Sequence, residues 1–322
     1  MSILVTGGAG YIGSHVVYAL CDAGYETVIL DDLSLGLVQN IDQRAEFIKG
    51  STHNSADLKQ IFSNYRIKTV IHLAAWKAAG ESMENPTKYA HNNLSGTINL
   101  LNAVVNAGVN QIVFSSTAAV YGYPEYLPVD ENHTLAPINF YGFTKLFIED
   151  MLKWYSQLKG LRFVALRYFN AAGYDVKGRI KGKEKNPANL IPVVMEVAAR
   201  ERKGFEIFGN DYETSDGTGI RDYIHVNDIA SAHVLALEYL RNDGTNLIAN
   251  LATGEGHSVL DVVNTTEKYS GKKIPFTVVG RRRGDPAELT AISNLAKDVM
   301  GWTTKYSDLK TIIQTTWDIY KK

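Results

Sequence analysis

The chain has 322 residues, 45% of them hydrophobic and 21% charged, with a formal net charge of −1. That length allows a large core and two domains, while the near-neutral balance offers no basic field for nucleic acid or membrane headgroups. The single cysteine, Cys21, excludes an internal disulfide and fits a reducing, cytoplasmic setting; no apolar run approaches the roughly 18 residues that cross a bilayer, and no leader peptide is expected.

The chain begins with Ile3, Leu4 and Val5 running into Gly7, Gly10 and Gly13, and an apolar helical pattern follows. Strand, tight turn, helix is the order that holds a dinucleotide. The first glycine permits the turn, the second lets the backbone approach a pyrophosphate, and the third lets helix pack on strand. A second strand, residues 27–30, ends in Asp31, roughly 20 residues on, where an acid hydrogen-bonds the adenosine ribose. The alternation then continues with a strand at 45–48, a helix at 55–65 and a strand at 69–73. A long helix after Pro86, a strand at 111–115, a helix at 140–159 and a strand at 162–167 complete it. Apolar strands alternating with helices predict a doubly wound parallel sheet covered on both faces.

Beyond Asn170 the texture changes. Residues 177–186 are rich in glycine and lysine, and shorter elements follow. We expect a dinucleotide-binding domain over 1–172, with a helix near 226–240 returning to it, and a smaller substrate domain over 173–322. Within the first domain, Tyr141 and Lys145 stand four apart on one helix face, where the ammonium is expected to lower the phenol's pKa and make it a general base. Thr117, at the carboxyl end of its strand, sits where such sheets bind ligands.

The glycine turn, Asp31, Thr117, Tyr141 and Lys145 together resemble the extended, sugar-nucleotide branch of the short-chain dehydrogenase/reductases. Segments 6–15, 72–82, 115–122, 167–170, 207–211 and 216–226 are similar, in the same order, to the UDP-glucose 4-epimerase family. The resemblance spans essentially the whole chain. It implies a Rossmann-type α/β fold with a smaller C-terminal α/β domain, NAD as cofactor, a UDP-sugar as substrate and a homodimer paired through the helices near 88–106 and 140–159. Gly7, Gly10, Tyr11, Ile12, Asp31, Ser51, Leu73, Lys77, Asn92, Tyr141, Lys145 and Tyr168 fall on NAD positions. Thr117, Tyr141 and Lys145 fall on the catalytic group. Asn170, Asn189, Leu190, Phe208, Arg221, Arg282, Asp285 and Leu289 fall on UDP-sugar positions, with the arginines suited to a diphosphate and Phe208 to the uracil. No metal site is implied.

The implied reaction is transient oxidation at sugar C4 by tightly bound NAD, rotation of the keto sugar, and reduction from the other face, interconverting UDP-galactose and UDP-glucose in galactose metabolism. Ser51 departs from the family, which usually has an aspartate there against the adenine. Asp31 and Asp32, with no arginine beside them, favour NAD over NADP. Ala118 and Ala119 stand where related dehydratases carry an acid and a base, and argue against elimination of water. Leu289, where a large tyrosine would exclude N-acetyl groups, points to tolerance of UDP-N-acetylgalactosamine and UDP-N-acetylglucosamine. A 4-epimerase of a UDP-pentose or UDP-uronate, and a non-catalytic NAD-sensing regulator, are the alternatives.

Overall fold

Ile3 and Val5 point into one apolar layer and Leu4 into another, and this alternation organises the larger half of the molecule. The computed structural model describes residues 1–185, 187, 189–282 and 285–321. In chain order the first half holds β1 (Ser2–Thr6), α1 (Tyr11–Asp22), β2 (Glu26–Asp31), β3 (Glu46–Lys49), α2 (Ser55–Asn64) and β4 (Ile67–His72). It continues with α3 (Ala79–Glu84), α4 (Pro86–Tyr89), α5 (Gly96–Asn106), β5 (Gln111–Thr117), α6 (Phe140–Lys159) and β6 (Arg162–Tyr168). The second half holds β7 (Asn170–Ala172), α7 (Leu190–Ala198), β8 (Phe205–Phe208), β9 (Ile220–His225), α8 (Val226–Arg241) and β10 (Leu247–Leu251). After these come β11 (Gly256–Ser258), α9 (Val259–Ser270), β12 (Phe276–Val279), β13 (Glu288–Leu289), α10 (Asn294–Met300) and α11 (Leu309–Tyr320).

Seven parallel strands form the main sheet in the order β10-β6-β5-β4-β1-β2-β3. On one face Val16, Val17 and Leu20 of α1 and Ile229 and Leu237 of α8 cover Val5, Ile29, Ile71 and Val113. On the other, Leu58, Leu101, Val104, Ile148 and Leu152 cover Leu4, Val28, Val70 and Phe114. Strands buried on both faces need apolar residues in succession, which is the pattern read from the sequence. The order reverses between β1 and β4, and the loops that leave the carboxyl ends there open a crevice.

Two differences from the sequence reading are informative. The sheet's seventh strand, β10, comes from far beyond residue 172 and pairs in parallel with β6, Leu247 opposite Val164. The helix expected after Pro86 is not uniform: a wider π-helical stretch over residues 90–95 separates α4 from α5. Such stretches gather at functional sites, and this one carries Asn92 and Asn93. The smaller half packs α7, α9 and α11 around Ile207, Tyr223, Met195 and Ile312. Its sheets are β11-β9-β13, with β7 also on β9, and the parallel pair β12-β8. Among the described residues no helix is long and apolar enough to cross a membrane.

Candidate functional site

The turn after β1 is built without side chains. Gly7 has a positive φ of 74°, and a Cβ there would lie 2.7 Å from the Ala74 nitrogen, so the loops after β1 and β4 touch only because the residue is glycine. Gly10 caps α1 with no side-chain hydrogen bond, leaving the first-turn N–H groups to face a cavity of about 200 Å³. Asp31 closes the far side. Its carboxylate accepts from the Ala9 N–H at 2.9 Å and the Leu33 N–H at 2.8 Å. Burial nonetheless raises its pKa from the ordinary value, against the two backbone bonds. An anion cradle at a helix N-terminus with a buried acid at the next strand end fits a dinucleotide's pyrophosphate and ribose.

Every residue that the sequence reading gave to NAD lines this cavity: Gly7, Gly10, Tyr11, Ile12, Asp31, Ser51, Leu73, Lys77, Asn92, Tyr141, Lys145 and Tyr168. Ser51, in place of the family's aspartate, accepts the His53 N–H at 3.3 Å while its own N–H donates to Asp57. The sequence reading missed several wall residues. Trp76 is held by Asn93, which accepts its N–H at 2.9 Å and donates to its carbonyl at 3.0 Å, and Lys88 lies 3.4 Å from its ring centre. Asn40, Gly182, Glu184 and Lys185 also line the cavity.

The last three belong to a strap from the smaller half, laid across the cavity mouth. The Tyr11 hydroxyl donates to the Gly173 carbonyl at 2.5 Å, and Asn40 both donates to and accepts from the Gly182 backbone. Glu184 pairs with Lys77, and the Lys185 ammonium donates to the Gly36 carbonyl at 3.1 Å. Lys185 is a cation near Asp31 that the sequence reading did not place. Alternating glycine and lysine in 177–186 was the available signal, but it named no partner. Asn186, at the end of that stretch, and Arg283, next to Arg282, lie outside the described residues.

At the other end of the cavity α6 presents Tyr141 and Lys145. The Asn139 side chain accepts the Gly142 N–H and Gly160, at φ 68°, ends the helix, which fixes the rotation that turns this stripe toward β5. Lys145 is only 2% exposed; its ammonium donates to the Ser115 carbonyl at 2.8 Å and lies 5.9 Å from the Tyr141 ring centre. The Thr117 hydroxyl is the neighbour that favours the Tyr141 phenolate. The expected lowering of the phenol's pKa does not occur. Burial pushes Tyr141 up to about 12, against the pull of Thr117, and pushes Lys145 down to about 7. Desolvation dominates at both groups, opposed by Thr117 at the phenol and by Glu149 at the amine, while the ammonium is directed at the Ser115 carbonyl.

The residues given to the sugar nucleotide do not line the cavity. Most of them cluster beyond the end of β5. Arg221 on β9 pairs with Asp285 at 2.5 Å, and Arg282 lies 4.1 Å from the Phe208 ring centre. Asn170 donates to the Asp222 carbonyl at 2.9 Å. Leu289 stands opposite Arg221 in the β9–β13 pair and packs against the buried cluster that includes Ala118 and Phe169. Asn189 caps α7 without a side-chain bond, and Leu190 begins that helix. His225 is buried and caps α8 by accepting the Asn227 N–H.

A family model described as the NAD dependent epimerase/dehydratase family matches residues 3–252. A UDP-glucose 4-epimerase of Lacticaseibacillus casei is 44% identical over 319 residues, covering 99% of this chain and 96% of the relative. The crystal structure of UDP-glucose 4-epimerase from Brucella ovis in complex with NAD superposes with a TM-score of 0.97 at 44% identity, covering 99% of this chain and 98% of that one. A UDP-Glc/GlcNAc 4-epimerase of Campylobacter jejuni gives a TM-score of 0.88 at 38% identity, covering 99% and 98%.

Proposed function

We infer the activity from membership and from the site: the chain belongs to the NAD dependent epimerase/dehydratase family, and it interconverts UDP-galactose and UDP-glucose by inverting the sugar's C4. The observation that carries this reading is the placement of Tyr141 and Lys145 on the wall of the same cavity as the glycine turn and Asp31. NAD, bound along that wall, supplies a reversible hydride acceptor. Residues 1–172, with the returning α8 and β10, form the unit that holds it; the remainder of 173–322 holds the UDP-sugar.

In this reading Thr117 hydrogen-bonds the sugar O4 and Tyr141 exchanges the proton on it. A buried phenol at about 12 is well suited to returning a proton. It removes one when positive charge is brought against it, and Lys145 supplies that charge while it stays protonated. Arg221 and Arg282 hold the diphosphate while the sugar turns, Phe208 stacks on the uracil, and Asn170 and Asn189 bind hydroxyls. The lone Cys21 and the lack of a basic field support a cytoplasmic enzyme of sugar metabolism.

The test is incubation of the purified protein with UDP-galactose and no added cofactor. Appearance of UDP-glucose is expected, from enzyme that retains NAD. No product with or without added NAD would refute the reading and bring forward a UDP-pentose, a UDP-uronate or a regulator.

The same site favours N-acetyl sugars as additional substrates. Leu289 is partly buried, smaller than a tyrosine, and packed against the cluster that includes Phe169 and Ala118, the residue after Thr117. Leu289→Tyr is expected to lower turnover of UDP-N-acetylgalactosamine at least tenfold while UDP-galactose changes little, since overfilling a packed site costs about 1–3 kcal/mol. Equal rates for parent and variant on the acetylated sugar would remove the steric argument.

A homodimer is the assembly we propose. Phe143, Phe147, Trp154 and Leu158 form an exposed apolar stripe on α6, at least 42% exposed, with Ile98 of α5 alongside. Tyr155 of α6 donates to Asn102 of α5, tying the two helices into one face. A contiguous apolar face of this kind marks a partner surface, and a second copy supplies the matching one. Sedimentation is expected at twice the chain mass for the parent and at the chain mass for Trp154→Glu; an unchanged mass for the variant would move the interface elsewhere.

A further inference from the structure

Three consecutive hydroxyl residues end β5, and each one engages a different group. The Ser115 carbonyl accepts from the Lys145 ammonium at 2.8 Å, and its hydroxyl contacts that of Tyr168. Thr117 acts on the Tyr141 phenol, favouring its charged form. Between them, the Ser116 hydroxyl donates to the Glu149 carboxylate at 2.5 Å. On α6 the same three partners, Tyr141, Lys145 and Glu149, follow at four-residue intervals, so one helix stripe is matched to one strand end. Two members of the stripe carry the proposed chemistry. The third lines no part of the cavity.

Glu149 is fully buried, and Arg167 of β6, 2% exposed, grips it with two parallel bonds, Nε at 2.9 Å and Nη2 at 2.6 Å. The remaining Arg167 nitrogen donates to the Tyr121 hydroxyl at 3.1 Å, and Tyr121 donates to Asn250 of β10 at 2.6 Å. A buried ion pair of this kind is a weak source of stability, since apolar residues of similar volume do as well. What it fixes is the position of a charge. We propose that Glu149 is a positioning residue for the reaction: held by Ser116 and Arg167 one helical turn from Lys145, its carboxylate favours the ammonium form of Lys145 next to Tyr141.

The surroundings leave that task to the carboxylate. His72 on β4, bonded to Thr6 and Thr97, is held neutral by burial at about 3. Tyr168 on β6 and Tyr121 after β5 are raised by burial and stay neutral. Arg167 is a cation, and Glu131, which accepts the Asn250 N–H, lies behind it. Burial drives Lys145 toward the neutral amine, and Glu149 pulls the other way.

The inference takes Lys145's role from the proposed function, so it is tested with a readout that does not depend on activity. The Lys145 Nζ titration is followed by 15N NMR of lysine-labelled, NAD-loaded protein, beside the pH profile of turnover. In Glu149→Gln the Lys145 midpoint is expected to fall by about one unit, tenfold in proton affinity, and the alkaline limb of turnover to move down with it. Bound NAD and KM should stay within about twofold. Glu149→Asp keeps the charge at shorter reach and should fall between parent and Gln; it carries the test alone if the Gln variant does not fold. A folded variant with the parent's midpoint, losing activity equally at every pH, overturns the proposal and leaves a structural pair. A shifted midpoint in a protein that epimerises nothing would uphold the electrostatic role and reject the assigned reaction instead.

Discussion

Tyr141→Phe is expected to bind NAD and UDP-galactose as the parent does and to turn over about two to four powers of ten more slowly, the usual worth of a positioned acid–base group. The change removes one oxygen and leaves the ring, which lies on the cavity wall near Lys145, in its place. What is lost is the hydroxyl that Thr117 acts on and that exchanges the proton. The outcome is decisive because a second base is at hand. Lys145, drawn down to about 7 by burial even with Glu149 pulling the other way, is that second base. A variant that kept the parent's rate would show that the amine abstracts the proton and that Tyr141 only shapes the wall. The measurement is kcat with the sugar nucleotide saturating, together with equilibrium binding of both ligands.

The second large effect is expected at Gly13→Ala, and it is a loss of folding rather than of chemistry. A Cβ there would run into the Gly7 carbonyl oxygen and stand 2.9 Å from the Gly8 Cα. Both obstacles are backbone, so no rotamer change relieves them. Moving them pulls α1 off β1, where Val16, Val17 and Leu20 cover the sheet. A cost of about 3 kcal/mol or more follows, at the upper end for overpacking, and urea unfolding measures it. Gly10→Ala is the contrasting case. Its Cβ would meet only the Gly7 carbonyl oxygen, at 3.2 Å, on a backbone with a φ of −73° that any residue adopts. That variant should fold with nearly the parent's stability and lose NAD, because the methyl occupies the path by which the pyrophosphate approaches. If both glycines behaved alike, the division of labour between them would be wrong.

The dinucleotide wall was legible because its signals are local. Gly7, Gly10 and Gly13 lie within one turn of chain, and Asp31 ends the next strand, so spacing alone puts them at one end of adjacent strands. Tyr141 and Lys145 were legible as a pair by helical periodicity, but their ionisation was not. Sequence spacing gives the neighbour and not the depth of burial, and here depth decides. The strap was invisible for another reason. Gly182 meets Asn40 across more than a hundred residues, and Glu184 meets Lys77 likewise. Backbone contacts of this length leave no periodicity. β10 was missed because the sequence reading followed the change of texture after Asn170 and placed 247–251 with the smaller half.

That late strand bears on how the protein is made. A nascent chain that has reached residue 172 holds six of the seven strands, with β6 at an open edge until β10 pairs with it. Ile229 and Leu237, which cover Val113 and Val164, have not yet been translated. An unpaired edge beside an uncovered apolar face is the surface from which chains join one another. The dinucleotide-binding half is therefore completed by residues synthesised after much of the second half, and a fragment cut at 172 is an aggregating species rather than a domain. Translation past residue 251, and not the end of the nucleotide motif, marks the point at which this sheet is safe from its neighbours on the polysome.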